Sequence, residues 1–334
     1  MTIEKACEEA CLNLAKYAFH KNPTGGDRAF YKLLEQSSTL HTHTENGELT
    51  SMIVDTHFQV SFQGQTVPMA GIGYVASYPE FRGNGAASQL MTEILQENYQ
   101  KETLFSYLAP FSYSFYSKFG YRYVFNQKHY EIDAADFPLG EKTHLTVKRT
   151  DFVTAQQDLA SVHAQAVDNG SLVRGEFEWS YYFDYKKQPH FAVFYDQAEP
   201  RGYVIYAFNG MAFIIHELIT LDVQAKKTAY RFIASHAGAF DKFVYTAPSN
   251  VTLEQDMREP SQAQINLRAD MMARIVNLKA YLKQFPVNVD KQFTIIDEIL
   301  LENNMTFGAG EAVTMTIGEF TKFVMQDVIL REYF

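Results

Sequence analysis

Cysteine is scarce in this chain: two among 334 residues. That excludes a disulfide framework, the usual support of secreted domains. Long apolar runs are absent too, and no stretch approaches the roughly 18 residues that a spanning helix needs. The opening stretch carries Glu4, Glu8 and Glu9 before any apolar run, so it does not read as a secretory signal. The expected location is the cytoplasm, with no membrane span. Positive charge is in deficit, with 29 Lys and Arg against 39 Asp and Glu, for a net charge of −10. That disfavours a phosphate-backbone binder, so no nucleic-acid partner is expected. An acidic surface suits a cationic substrate, although a charge of this size is also ordinary for solubility. With 18 glycines and 10 prolines the chain is neither collagen-like nor of low complexity. Its 10 histidines show no His-x-x-x-His or Cys/His spacing, so no metal is expected.

What is present is a globular composition: 46% hydrophobic and 20% charged residues, at a length that predicts two or three domains. The first segment opens with a helical pattern at Ala6, Ala10, Leu14 and Tyr17, with Leu12, Ala15 and Phe19 beside it. Extended runs follow at 51–62 and 67–78, with a turn at Gly64-Gln65. A helix over 86–101 shows an apolar stripe at Ala87, Leu90, Met91, Ile94 and Leu95. A strand at 103–109 stops at Pro110, a short helix at 112–119 ends at Gly120, and 121–132 alternates as one strand. The second segment repeats this element order, with a hairpin at Asn209-Gly210 and a helix at 224–237. A polar linker at 250–262 leads to a third segment. That segment predicts strands at 271–276, 293–299 and 312–317, with Thr316 and Glu319 as a capping box. Cys7 and Cys11 lie one helical turn apart and read as core, as does Trp179 with its aromatic neighbours.

The informative piece is a strand, then Arg82-Gly83-Asn84-Gly85-Ala86-Ala87, then a helix. Small residues let the backbone approach a ligand closely. The first N–H groups of the helix lack intrahelical partners and point from its positive end. Arg82 adds a fork for phosphate oxygens. Together these form a pyrophosphate cradle. No Gly-Lys-Ser/Thr follows, so it is not a Walker loop, and the G-x-G-x-x-G spacing is absent.

Arg82-x-x-Gly85-x-Ala87 after a strand resembles the acyl-CoA signature of the GCN5-related N-acetyltransferases. Val75-Ala76-Ser77 and the stretch Phe115-Tyr116-Ser117-Lys118-Phe119-Gly120-Tyr121 are similar to the enhanced-intracellular-survival (Eis-like) branch. The resemblance is specific over about 65–132. It implies an α+β (mixed α/β) chain of three domains. These are an acetyl-CoA-binding acetyltransferase domain at 1–142, a degenerate second one at 143–262, and a small sterol-carrier-protein-2-like α/β domain at 263–334. It implies acetyl-CoA as a substrate, held by Val75, Ala76, Ser77, Arg82, Gly83, Asn84, Gly85, Ala86, Ala87, Ser88, Phe111 and Ser112. The join Leu221-Asp222-Val223-Gln224 has no glycine loop, so the second domain is not expected to bind it. Departures from the family are a loop with Arg82 as its one arginine, a short third domain and a start almost directly in a helix.

Amide formation from a thioester needs a proton removed from the amine and one given to the thiolate. A tyrosine, with pKa near 10, can donate to a thiolate near 8.5. The resemblance gives that role to Tyr116, with Tyr121 second, and the base role to the terminal carboxylate of Phe334. Burial of a carboxylate raises its basicity. The expected activity is direct N-acetylation of a primary amine on a polyamine, an aminoglycoside-like cation or a lysine. Two other readings stay open: a non-catalytic acyl-CoA or lipid sensor, and a tandem aminoacyl or long-chain acyl transferase. The resemblance also implies a homo-oligomer, often of six chains.

Overall fold

The computed structural model describes residues 3–20, 26–185, 189–287 and 289–331. Helices α1 (Ile3–Ala18) and α2 (Gly26–Ser37) lead into strands β1 (Ser38–Glu45), β2 (Glu48–Phe62) and β3 (Gln65–Ser77). Helix α3 (Ala86–Gln100), β4 (Phe105–Leu108), the short α4 (Tyr113–Ser117) and β5 (Arg122–Tyr123) follow. The turn between β2 and β3 falls on Gln63 and Gly64, both with positive φ, the backbone that a tight hairpin requires. Residues 52 and 53 alternate in direction, as a strand's period of two demands. Met52 packs with Cys11, Leu14, Ala15 and Phe30 under α1 and α2. Ile53 packs with Leu90, Met91, Ile94 and Leu95 of α3. The sheet is thus covered on both faces. Among the described residues no strand precedes α1. The stripe on α1 ends earlier than its spacing predicts, since Tyr17 and Phe19 are exposed.

The second unit contains β6 (Asn126–Asp133), β7 (Thr146–Thr150), α5 (Phe152–Gln165), α6 (Glu176–Ser180) and β8 (His190–Asp196). It continues with β9 (Glu199–Asn209), β10 (Ala212–Thr220), α7 (Val223–Ala234), β11 (Lys242–Pro248) and β12 (Gln264–Ala269). The Asn209-Gly210 hairpin is present, with Ala212 opposite Asn209. The seven strands are ordered β12-β6-β11-β10-β9-β8-β7. The succession β8, β9, β10, α7, β11 repeats β1, β2, β3, α3, β4 of the first unit, and in each the last strand runs parallel to the third.

The last segment holds β13 (Met272–Ile275), α8 (Leu278–Gln284), β14 (Asp290–Ile296), β15 (Met305–Thr316) and α9 (Ile317–Val324). The Thr316 box forms: its hydroxyl accepts from Glu319 N at 3.3 Å and Glu319 accepts from Thr316 N at 2.8 Å. The contacts do not divide the chain at 142 and 262. One compact unit runs to Val124 and takes in Asp270–Val328; the other runs from Phe125 to Ala269 and resumes at Ile329. The segment expected as a separate third domain therefore belongs to the first unit. β13 lies between β4 and β5 in the first sheet. Tyr281 and Phe285 pack their rings on Phe62 and Phe105. Conversely, the single strand expected over 121–132 breaks at 124–125, and β6 joins the second sheet between β11 and β12. Periodicity fixes that a segment is extended, not which sheet accepts it.

Candidate active site

β3 and β4 pair in parallel from Met69 opposite Phe105 to Ile72 opposite Leu108, and then part. At that point β3 carries a bulge. Val54 still faces Gly73 and Met52 faces Ala76, so Tyr74 and Val75 together oppose Ile53. Tyr74 sits at φ +50°, a left-handed backbone that a bulge imposes on an unwilling residue. Beyond the bulge β3 follows β2, and among the described residues no strand pairs with its other edge over Val75, Ala76 and Ser77. Past Ile72 and Leu108 the ladder between β3 and β4 ends, and the gap between their diverging chains, edged by main-chain polar groups of β3, is the candidate cleft. Ser77 also anchors its own strand, its hydroxyl meeting that of Ser51 at 2.7 Å.

The loop at the end of β3 turns through Pro79–Phe81 and delivers Arg82, Gly83, Asn84 and Gly85 to the surface, all four exposed. Gly83 and Gly85 have φ of +91° and +87°, and a Cβ on either would meet nothing within 4 Å. Glycine is required here by the backbone, and the space beside it is open, as a ligand cradle requires. Gly85 is the N-cap of α3 and has no side chain to offer, and the first turn holds no acidic residue. The leading N–H groups of α3, at Ala86, Ala87 and Ser88, are left for an external anion. Ala86 is buried against the core, whereas Ser88 and Arg82 face solvent. These residues fit the pyrophosphate of acetyl-CoA.

The second unit repeats the cleft but not the cradle. β10 pairs with β11 only as far as Ile215 opposite Tyr245, and its ladder with β9 slips at His216. There α7 is capped by Asp222, whose carboxylate accepts from Ala225 N at 2.8 Å and is paired with Arg201 at 2.9 Å. The helix end is met by the chain's own anion. Just past the slip, Glu217 is buried and gripped by both Nη atoms of Arg174, at 3.0 and 2.5 Å, while Tyr203 donates to it at 2.5 Å. Burial pushes the Glu217 carboxyl up, but the Arg174 guanidinium outweighs this and holds it well below the usual carboxylate range. Trp179, buried beneath Arg174 at 4.8 Å from its ring centre, is core as expected.

On the far side of the first cleft, Ser112 caps α4 by accepting from Phe115 N at 3.3 Å. Phe111 is 68% exposed and stacks on Phe115 at 5.5 Å, with its edge toward Tyr116 at 5.2 Å. Tyr116 is buried among Ile53, Ile72, Leu90, Met91 and Leu108. Burial, with Tyr121 beside it, pushes its phenol above the ordinary value. It therefore keeps its proton at neutral pH. Tyr121 differs. Its hydroxyl meets Ser106 Oγ at 2.7 Å, and Ser106 gives its own proton to Ala70 O at 2.9 Å, so the Tyr121 proton is committed to Ser106. Phe334 lies outside the described residues. Every other expected site residue falls in the first unit, around the cleft that opens where β3 and β4 part. Sequence reasoning missed the bulge at Tyr74, for which the neighbouring Gly73 was the one available signal.

Among the described residues no group of three or more His, Cys, Asp or Glu side chains could hold a metal, and no helix is long and apolar enough to cross a membrane. Residues 2–124 and 170–275 each match a model described as an acetyltransferase (GNAT) domain. No curated protein matches the chain. Among solved structures, a protein of Enterococcus faecalis described as a probable N-acyltransferase is 29% identical, with a TM-score of 0.90 over 99% of this chain and 98% of that one. A GCN5-related N-acetyltransferase from Anabaena variabilis shares the fold at 19% identity and TM-score 0.84, over 100% and 98% of the two chains. Eis1 from Mycobacterium abscessus does so at 18% and 0.76, over 96% and 87%. The chain carries two GNAT acetyltransferase domains in tandem and is an N-acetyltransferase.

Proposed function

We propose that the first unit transfers acetyl from acetyl-CoA directly to a primary amine, in the manner of the Eis-like enzymes, while the second unit binds no acetyl-CoA. The observation that carries this reading is the uncapped, glycine-led start of α3 beside a cleft whose far wall holds the protonated phenol of Tyr116. Arg82 and the amides of Gly83–Ser88 take the pyrophosphate, and the free edge of β3 at Val75–Ser77 takes the amide-bearing arm. Acetyl-CoA supplies an activated acyl group. The amine nitrogen attacks the thioester carbonyl, the C–N bond forms and the C–S bond breaks. Tyr116 gives its proton to the departing sulfur, and the terminal carboxylate of Phe334 accepts the proton lost from nitrogen. Tyr116 then recovers a proton from solvent. The net charge of −10 favours a cationic acceptor: a polyamine, an aminoglycoside-like cation or a lysine side chain. A cytoplasmic homo-oligomer is part of the same reading.

The test uses full-length protein with a native C-terminus. Thiol release from acetyl-CoA is followed with a polyamine, an aminoglycoside, a lysine peptide and no acceptor, and the products are weighed by mass spectrometry. Amine-dependent release with an acetylated product is expected. Release that does not respond to any amine overturns the acceptor assignment. Because the Enterococcus relative is described more broadly as an acyltransferase, longer acyl-CoA donors belong in the same panel.

A further inference from the structure

The turn that carries Tyr116 is held from the far end of the chain. α4 has five residues, too few to fix its own geometry. Its C-terminal side closes by Phe119 N donating to Tyr116 O at 3.0 Å and Tyr121 N to the same oxygen at 3.4 Å. The Ser117 carbonyl accepts from Gly120 N at 3.1 Å and Arg122 Nη1 at 3.3 Å, and the Phe119 carbonyl accepts from Nη1 of Arg274. Arg274 stands on β13 and is wholly buried. Its Nε donates to Ile275 O at 3.1 Å and its Nη2 to Asp297 Oδ2 at 2.5 Å. Asp297, also buried, is itself fixed: Oδ1 accepts from Ile299 N at 3.0 Å and Leu300 N at 3.1 Å, and Oδ2 from Asn303 at 2.9 Å. The turn has no slack either. Gly120 lies at φ +80°, and a Cβ there would lie 2.8 Å from Ile317 Cγ2 and 3.2 Å from Arg274 Nη1. A Cβ on Gly318 would lie 2.5 Å from Gly120 O.

A buried ion pair is a poor way to gain stability, since apolar side chains of the same volume do as well or better. What the guanidinium offers is direction: a rigid fork that addresses a carboxylate and a carbonyl at once. We propose that Arg274, braced by Asp297, is a positioning residue that sets where the Tyr116 hydroxyl stands in the cleft. This rests on the reading of Tyr116 as the proton donor. It gives the last segment a part in catalysis that does not depend on Phe334.

The test is a comparison of full-length variants by steady-state thiol release, with thermal melting as a check on folding. Arg274→Met with Asp297→Asn keeps the volume, removes both charges and frees the Phe119 carbonyl. A misplacement of about 1 Å can cost on the order of 10²-fold, so kcat falls by about that factor while the KM for acetyl-CoA stays within about twofold. Adding Tyr116→Phe to this pair slows the enzyme no further than Tyr116→Phe alone, because both changes act on one proton transfer. Arg274→Lys keeps the charge for Asp297 but cannot span both partners. It falls about tenfold and carries the test if the neutral pair does not fold. A folded neutral pair, or Arg274→Lys, with wild-type kcat overturns the proposal. So does a triple variant whose loss is the product of the separate losses. A slow Tyr116→Phe beside a fast pair variant overturns this inference alone, whereas a wild-type rate for Tyr116→Phe overturns the proton-donor reading and this inference with it.

Discussion

Tyr116 and Tyr121 share one core and one motif but differ in what their protons are doing. Tyr121 is locked to Ser106, which is locked to the Ala70 carbonyl. Tyr121→Phe is therefore expected to cost about 1 kcal/mol of stability, the net worth of one hydrogen bond, and to leave turnover within a few-fold. Tyr116→Phe keeps the ring packed against Phe111, Phe115 and Leu108 and should melt as wild type and bind acetyl-CoA as well. Loss of a positioned acid lowers turnover by about 10²–10⁴-fold. Melting curves and thiol release on the two variants separate the roles. Phe334 is tested by position, not by side chain. One glycine added after it moves the carboxylate by roughly 3.5 Å. The extended protein should fold, bind acetyl-CoA and fail to acetylate, whereas Phe334→Leu, with the carboxylate in place, should be milder. Full activity in the extended protein would give the base role to another group.

Among the elements, α3 and the loop before it were the most legible. The apolar stripe of Leu90, Met91, Ile94 and Leu95 is an intrinsic pattern with a period of its own, and it is buried as the spacing predicts. The glycines were legible as small residues that leave the backbone open, and both lie at positive φ with free space beside them. Gly85→Glu should abolish acetyl-CoA binding, measured by calorimetry, because it adds a strained φ, bulk and negative charge at the helix end. Undiminished binding would move the cradle elsewhere. The bulge at Tyr74 was not legible, because an extra residue in a ladder leaves the alternation on either side intact. Nor was β1, whose Thr and His alternation lacks an apolar face, nor β12, which is exposed throughout. The partner of Arg274 could not be read at all. An arginine in a strand pattern looks like a surface residue until the sheet it enters is known.

At the scale of the whole molecule, the two units meet the same topological position in opposite ways. The first leaves its helix start without a side-chain cap. The second caps its helix end with Asp222 and buries the Arg174–Glu217 pair just past the slip in β10, which makes that unit sensitive to acid. The Glu217 carboxyl is depressed in the folded state, so its contribution is complete above the ordinary carboxylate value of about 4.5 and is lost as pH falls below it. Urea unfolding of the second unit should therefore shift to lower denaturant between about pH 4.5 and pH 2. Glu217→Gln should be weaker at neutral pH by about 3–5 kcal/mol, since it strands Arg174, and should respond less to acid. A residue-level reading anticipated the two acetyltransferase folds but not their strand exchange. Residues 1–142 expressed alone contain the whole loop, cleft and Tyr116, yet lack β13 and the Arg274 clamp. That fragment should show no cooperative thermal transition, although a match to an acetyltransferase domain spans 2–124; a sharp melt would refute this.

The placement of β13 between β4 and β5 also sets a schedule for synthesis. When the ribosome has finished β5 at Tyr123, the strand that must lie beside it begins only at Met272, about 150 residues later. At roughly 5–20 residues per second, the nascent sheet waits on the order of ten seconds with the edge of β4 open. That strand, Phe105-Ser106-Tyr107-Leu108, is wholly buried in the finished protein, and an open apolar edge is a template for pairing with other chains. The enzyme's yield in a cell is thus tied to translation speed and to whatever shields that edge in the interval. Slow codons between β6 and β12 would lengthen the exposure without changing a single amino acid.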